Sequence, residues 1–402
     1  MEVKIDRLDH QGRGIAILDK VTFIPNALPG EIVDIEIVES KSKYNIGEIK
    51  KYIKKSEKRV NPVCPYYDVC GGCDLMHMSY YDEARYKEDK IKNIMQRYAG
   101  LTNVSPIIRS TSELGYRNKV TFKVDKKLGL YKEDTHDIIY INDCKLISDQ
   151  MNSYIDVINK MDLTGVYEVV IRESNNADMI IFKCNEDVKL DVEEIEANVV
   201  RYYDRKYKTL KGNDYIIDKV GDLKYKISPS SFFQVNRDQV KKLYDVVLEN
   251  LNLNKSDKVL DLYCGTGTIG LYVARYCSDV FGIEINEDAI KDANYNKKIN
   301  DIDNIFFTAG DSKIIKDISY KPNKIIVDPP RAGLDPKVID EIININPETL
   351  VYVSCDPITL ARDLNIFKNN YTVEKIIPVD MFPRTYHVET VVLMSKAWWK
   401  GP

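Results

Sequence analysis

No apolar run of about 18 residues or more, the length needed to cross a membrane as a helix, occurs in the 402-residue sequence. The opening stretch, "MEVKIDRLDHQ", lacks the apolar segment of an export signal. A membrane partner and secretion are therefore set aside, and the expectation is a cytoplasmic protein. Strong charge of either sign is also missing: 58 Lys and Arg stand against 62 Asp and Glu, a net charge of -4. That excludes a uniformly basic nucleic-acid binder, although a whole-chain sum hides local fields. Cysteine is sparse for the length. Eight residues in 402 make no disulfide framework, and in a reducing compartment they point to metal ligation or catalysis.

What is present is ample core material. With 44% hydrophobic and 30% charged residues the composition is that of a globular protein, and 402 residues exceed what one hydrophobic core holds. Two or three domains are expected, and the pattern divides the chain in three. Residues 1–56 alternate in short runs such as "VKIDRL" and "IVDIEIV", broken by "HQGRG" and "NALPGE", as in a small antiparallel barrel. Residues 57–225 mix a helix, "YYDEARYKEDKIKNIMQRYAG", with two hairpins, one of them turning at "KKLG", and read as α+β. From 226 to 402 apolar strands alternate with helices, which predicts an α/β domain with a mostly parallel sheet and ligands beyond the carboxyl ends of its strands. Residues 41–60 hold eight Lys or Arg against two Glu, either a basic binding surface or an ordinary solvated face.

Four features of the last segment carry chemistry. In "VLDLYCGTGTIG" the glycines at 265, 267 and 270 allow a tight turn and close backbone approach to a ligand. Glu284 follows 23 residues after Asp261, where a carboxylate can take both hydroxyls of an adenosine ribose. A dinucleotide is one candidate. Asp261 and the lack of a basic residue in the turn favour a ligand without phosphate, and S-adenosylmethionine fits. Asp328, before two prolines in "IIVDPPRAGLD", either positions a ligand or starts a turn. Gln234 is a ligand contact or a cap, Tyr263 lines the pocket or packs under the sheet, and Phe232 and Phe233 suit ordinary core.

Cys355, in "YVSCDPITLARD", follows a strand and precedes a helix whose dipole would lower a thiol pKa. It is a candidate nucleophile or a packed core thiol. Glu389, at the edge of the apolar strand in "PRTYHVETVVLM", is a candidate general base or a salt-bridge partner, with His387 as the competing base. Upstream, Cys64, Cys70 and Cys73 are spaced C-x5-C-x2-C, and Cys144 is the nearest downstream candidate to complete a four-thiolate site. Spacing alone leaves structural zinc and an iron-sulfur cluster open. Cys184, Cys264 and Cys277 are left as small or core residues.

Taken together, "SFFQVN", "DLYCGTGTIG", "IIVDPPRAGL", "YVSCDP" and "HVETVVLM" resemble the RNA uracil-5-methyltransferase family over nearly the whole chain. The resemblance implies a Rossmann-like catalytic domain using S-adenosylmethionine, with Cys355 as nucleophile and Glu389 as proton acceptor. It also implies cofactor contacts by Gln234, Tyr263, Glu284 and Asp328. The family's ribosomal branch is similar in carrying an OB-like TRAM barrel, which binds RNA, and a 4Fe-4S cluster, here on Cys64, Cys70, Cys73 and Cys144. The reading that follows is methylation of carbon 5 of a uridine in 23S ribosomal RNA, presented in a loop or unfolded segment, with no obligate protein partner. The barrel aromatics Phe23, Tyr44 and Tyr52 are few, so its contribution should be mostly electrostatic. Methylation of the transfer RNA T-loop uridine is the alternative within the same chemistry. A noncatalytic RNA-binding or assembly factor is the alternative of another class, opposed by the intact Cys355, Glu389 and glycine motif.

Overall fold

Period-two alternation at the N-terminus folds into strands with alternating burial. In the computed structural model, which describes residues 1–397, these are β1 (Glu2–Lys4), β2 (Arg7–Leu8), β3 (Gly14–Ile17), β4 (Val21–Ile24), β5 (Ile32–Ser40) and β6 (Tyr44–Lys54). They form one sheet in the order β1-β5-β6-β4-β3-β2. Three register shifts between β5 and β6 bend the sheet around Ile5, Ile24, Val33 and Ile35. The result is a curled half-barrel, and β4 pairs with β6 in parallel where an all-antiparallel barrel was expected.

Helix α1 (Tyr80–Ala99) starts at Ser79, whose side chain accepts from the Asp82 N–H, and ends at Gly100. Such an N-cap contributes about 1 kcal/mol. Ala84, Ile91, Ile94 and Met95 form its apolar stripe and join the core of the C-terminal sheet, although the helix lies far upstream in sequence.

Seven strands build the middle sheet: β7 (Lys119–Asp125), β8 (Lys127–Tyr131), β9 (Ile138–Tyr140), β10 (Val166–Arg172), β11 (Met179–Cys184), β12 (Asn198–Tyr203) and β13 (Lys206–Lys211). Their order is β13-β12-β11-β10-β7-β8-β9. Helix α2 (Asp149–Ile158) packs Met151, Tyr154 and Ile155 onto Phe122, Val169, Ile171 and Phe182 of this sheet. The hairpin β14 (Ile216–Val220) and β15 (Leu223–Ile227) then leads into the C-terminal domain.

There, helix α3 (Arg237–Leu251) precedes β16 (Lys258–Leu262), α4 (Thr268–Ala274), β17 (Asp279–Glu284), α5 (Glu287–Ile299), β18 (Ile305–Ala309), β19 (Lys324–Val327) and α6 (Pro336–Ile345). β20 (Thr349–Ser354), α7 (Pro357–Phe367), β21 (Tyr371–Val379) and β22 (Glu389–Lys396) complete it. The sheet order is β18-β17-β16-β19-β20-β22-β21, parallel from β18 to β20 and antiparallel where β22 inserts. The chain steps outward from β16 to β18, then returns to β19 on the other side of β16. That reversal opens a crevice at the carboxyl ends of β16 and β19, the place where sheets of this kind bind ligands.

Candidate active site

The crevice is built from the turn after β16. Tyr263 has a left-handed backbone (φ 64), uncommon for a residue with a side chain, and its hydroxyl accepts from Ser312 Oγ at 2.9 Å. Gly265 follows at φ 53, and a Cβ there would meet nothing within 4 Å, so its backbone faces open space. Glu284, the last residue of β17, accepts from the Gly265 N–H through Oε2 at 3.2 Å and from the Asn286 N–H through Oε1 at 2.9 Å. Each carboxylate oxygen keeps a further acceptor site.

Gln234, Asp261, Tyr263, Thr266 and Asp328 line a small cavity of about 30 Å3 at the base of this turn. Asp261 Oδ2 and Thr266 Oγ1 are buried without a hydrogen-bond partner among the described residues. Burial, reinforced by Asp328, pushes the Asp261 carboxyl up to about 8, and enclosure alone pushes Asp328 up to about 7. Asp261 and Asp328 thus meet in a lining that includes no Lys or Arg among the described residues, and Glu284 stands beside it, bonded to the Gly265 N–H. The site suits a ligand that brings positive charge and hydroxyl groups, and repels phosphate. Phe232, which suited ordinary core in the sequence, is 66% exposed at the rim, whereas Phe233 is buried. Ile285, beside Glu284, is 69% exposed and was not singled out in the sequence. An apolar residue directly after the acidic strand end was the available signal.

Cys355 lies just past β20, where Asp356 caps α7 by accepting from the Ile358 and Thr359 N–H groups at 2.9 and 3.0 Å. Because β22 runs antiparallel to β20, its first residue returns to the same edge of the sheet. The final pair of the ladder is Ser354 with Thr390. Glu389 is buried, and burial followed by the Asp328 charge pushes its carboxyl up to about 8, with Arg331 opposing. Cys355 is half-buried. Its thiol is pushed up to about 11 by burial, then by Glu389 and Asp328. The expected lowering by the helix dipole is therefore reversed, since desolvation and two neighbouring carboxylates outweigh one helix end. His387 is pushed down to about 3 by burial and by Arg331, whose guanidinium lies 3.4 Å from Nε2. That direction weakens His387 as a base and leaves Glu389 the stronger candidate.

The loop that delivers Glu389, residues 380–388, is held by α1. Lys87 Nζ donates to Glu83 Oε1 and Asp380 Oδ1, both at 2.8 Å and both buried, and to the part-buried Phe382 O at 3.0 Å. The Arg384 N–H donates to Glu83 Oε1 at 2.7 Å, and Lys90 Nζ donates to Tyr386 O at 2.7 Å. Sequence reasoning missed this clamp. Its trace is the Glu83 and Lys87 pair, four residues apart among the helix residues that turn inward. Above Cys355, a cavity of about 100 Å3 is lined by His10 and Gln11 of the half-barrel together with Lys90, Arg331 and His387.

Cys64, Cys70, Cys73 and Cys144 come together around a separate cavity of about 290 Å3, bordered by Arg117 and Leu146. Burial raises all four thiols. Among the described residues no group of three or more His, Cys, Asp or Glu side chains is placed to hold a metal ion, so the expected metal centre is not evident in this arrangement. On the half-barrel, Arg13 lies over Phe23 at 4.4 Å, Lys41 over Tyr44 at 5.8 Å and Arg59 over Tyr52 at 4.6 Å, so cations already lie over all three expected aromatic surfaces. Several charges of the 41–60 stretch are paired, Lys50 with Glu36 and Glu48, and Arg59 with Glu31. No helix among the described residues is long and apolar enough to cross a membrane.

Comparison with known proteins supplies the family. A model described as tRNA (Uracil-5-)-methyltransferase matches residues 86–397, and a TRAM domain model matches residues 1–50. The chain belongs to the RNA uracil-5-methyltransferase family. An uncharacterized RNA methyltransferase of Halalkalibacterium halodurans is 35% identical, the match covering 98% of this chain and 96% of that one. Another, from Staphylococcus aureus, is 34% identical with 96% of both chains covered. The crystal structure of Pyrococcus abyssi tRNA (uracil-54, C5)-methyltransferase in complex with S-adenosyl-L-homocysteine is similar throughout. Its TM-score is 0.82 at 28% identity, covering 98% of the methyltransferase described here and all of its own chain. The half-barrel of this methyltransferase is thus a TRAM-like element, and the sheet with β22 inserted is that of a Rossmann-like methyltransferase domain.

Proposed function

We propose that the protein methylates carbon 5 of a uridine in RNA, with S-adenosylmethionine as methyl donor. The observation that carries this reading is the placement of Cys355 and Glu389 at one sheet edge, beside a crevice rimmed by Asp261, Glu284 and Asp328. Cys355 gives up its thiol proton to solvent as its sulfur bonds to carbon 6 of the uracil, and the ring's π electrons move to carbon 5 and the carbonyl oxygen beside it. S-adenosylmethionine supplies an electrophilic methyl group, and its sulfonium and ribose hydroxyls suit the acidic crevice, held by Gln234, Tyr263, Glu284 and Asp328. After transfer, Glu389 takes the proton from carbon 5, the ring double bond returns, and the bond from carbon 6 to sulfur breaks.

The family and structural comparisons favour transfer RNA as substrate over 23S ribosomal RNA. The Pyrococcus abyssi enzyme is named for a tRNA uracil and is covered from end to end, half-barrel included. A barrel therefore gives no argument for a ribosomal target, contrary to the sequence expectation. The second reading, a 23S uridine, rests on the four thiols. Their cavity of about 290 Å3 has room for a 4Fe-4S cluster, whose thiolates stand apart around a void where a single ion would draw them together. Cys64, Cys70, Cys73 and Cys144 would hold that cluster, which would order the middle sheet without entering the chemistry at uridine. In this proposal residues 1–56 bind RNA, 57–225 shape the site and 226–402 catalyse, and the protein works in the cytoplasm.

Nucleoside mass spectrometry on transfer and ribosomal RNA from cells lacking the gene, with and without the gene restored, decides the substrate. Loss and recovery of 5-methyluridine in transfer RNA is expected. A change confined to 23S RNA would establish the second reading, and no change in either RNA would refute both.

A further inference from the structure

The cavity above Cys355 does not end blindly. A groove of about 860 Å3 runs between the half-barrel and α1, with Arg7, Phe23, Arg85 and Tyr98 in its walls. His10, Lys90 and Ile358 line both spaces and mark where they join. The walls of the groove carry nearly balanced charge, since Asp6, Asp82 and Asp89 face its cations and Lys58 lies 3.5 Å from Asp82. A general basic field is therefore absent, and the charge at the junction matters more.

Lys90 is only 8% exposed and makes one hydrogen bond, to Tyr386 O. An ammonium has three donors. The other two have no hydrogen-bond acceptor, and the side chain forms no ion pair, among the described residues, although Nζ also lies over the Tyr386 ring, 5.1 Å from its centroid. Burying a cation without a paired anion is costly.

We propose that Lys90 binds the phosphodiester next to the target uridine and so fixes where the strand turns toward Cys355. Burial, and the nearby Lys87 charge, push the Lys90 amine down to about 7, while Asp356, Asp9 and Asp74 act in the opposite direction from α7, the half-barrel and the Cys-rich loop. A bound phosphate would restore the full charge. Lys90 is a positioning residue in this account, which rests on the RNA-uridine reading above.

The test uses the full-length protein and whichever synthetic hairpin the wild type methylates, a T-loop or a 23S fragment. RNA affinity is measured against salt for the wild type, Lys90→Met and Lys90→Arg. Loss of one phosphate contact should reduce the slope of log K against log salt by about 0.7, with the activity loss falling on KM more than on kcat. Arginine should restore most of the slope. A neutral methylphosphonate beside the target uridine should weaken wild-type binding equally and add nothing to Lys90→Met. An unchanged slope with a fall in kcat would overturn the proposal, because Lys90 would then merely hold the Tyr386 loop or touch the base. Failure of the wild type to methylate either hairpin would instead refute the uridine reading, and this proposal with it.

Discussion

Cys355 and Glu389 stand one register step beyond Ser354 and Thr390, the last pair between β20 and β22, so the thiol and the carboxyl face the same edge of the sheet. Their division of labour has a direct consequence. Cys355→Ala should lower turnover by at least roughly three orders of magnitude while leaving S-adenosylmethionine binding intact. Glu389→Gln should permit methyl transfer and slow release by roughly 10²- to 10⁴-fold, leaving protein covalently attached to RNA on a denaturing gel. Normal turnover in the first variant, or no adduct in the second, would remove the assignment concerned.

Glu389 also sets a pH dependence with a definite sign. Its base form is the carboxylate, so single-turnover release should speed up as pH rises toward about 8. Stability moves the other way. The native carboxyl lies above its ordinary value of 4.5, so the fold binds the proton more tightly than the unfolded chain does, and stability falls as pH rises from there to about 8. Glu389→Gln removes that loss. The Tm of the variant relative to wild type should accordingly be higher at pH 8.5 than at pH 5, and a constant difference across that range would contradict the burial argument.

The thiol cavity makes a separate prediction. Protein purified without oxygen should contain iron and acid-labile sulfide, and Cys70→Ser should lose both together with protection of β7 and β8 amides from hydrogen exchange. Iron content equal to wild type would strike Cys70 from the ligand set.

The clamp on the base-bearing loop can be broken at Lys87. Replacing it with Met leaves buried Asp380 without its cation and Glu83 with only Arg384, 3.6 Å away, and should cost about 3–5 kcal/mol of unfolding free energy in urea. Activity should fall as well, because the same amine holds Phe382 O in the loop leading to Glu389. A stability change under about 1 kcal/mol would mean that water or a neighbour replaces the amine at little cost.

Local patterns were well legible. The run "YYDEARYKEDKIKNIMQRYAG" marked α1 and its stop at Gly100 because apolar spacing and the glycine act within a few residues. The turn at "KKLG" was nearly legible. The backbone reverses at Lys126, whereas Gly129 sits inside β8, where a Cβ would come within 2.4 Å of Ile139 O on β9. That glycine answers to a neighbouring strand, which the sequence does not display. The same limit applies at the site. Cys355 and Glu389 could each be placed at a strand end, but their meeting depends on β22 entering antiparallel between β20 and β21. Glu83, Lys87 and Lys90 were not singled out in the sequence, since charge on a helix normally marks solvent, and only the packed structure turns them inward.

That late insertion of β22 bears on how the enzyme comes into being. β20 and β21 follow one another in the chain, yet in the finished sheet β22 lies between them, so the last strand both completes the sheet and brings Glu389 to its edge. During synthesis the half-barrel emerges first, Cys355 follows much later, and Glu389 comes last. The cavity above Cys355 is likewise complete only when residue 10 and residue 387 are both in place, so it draws on both ends of the chain.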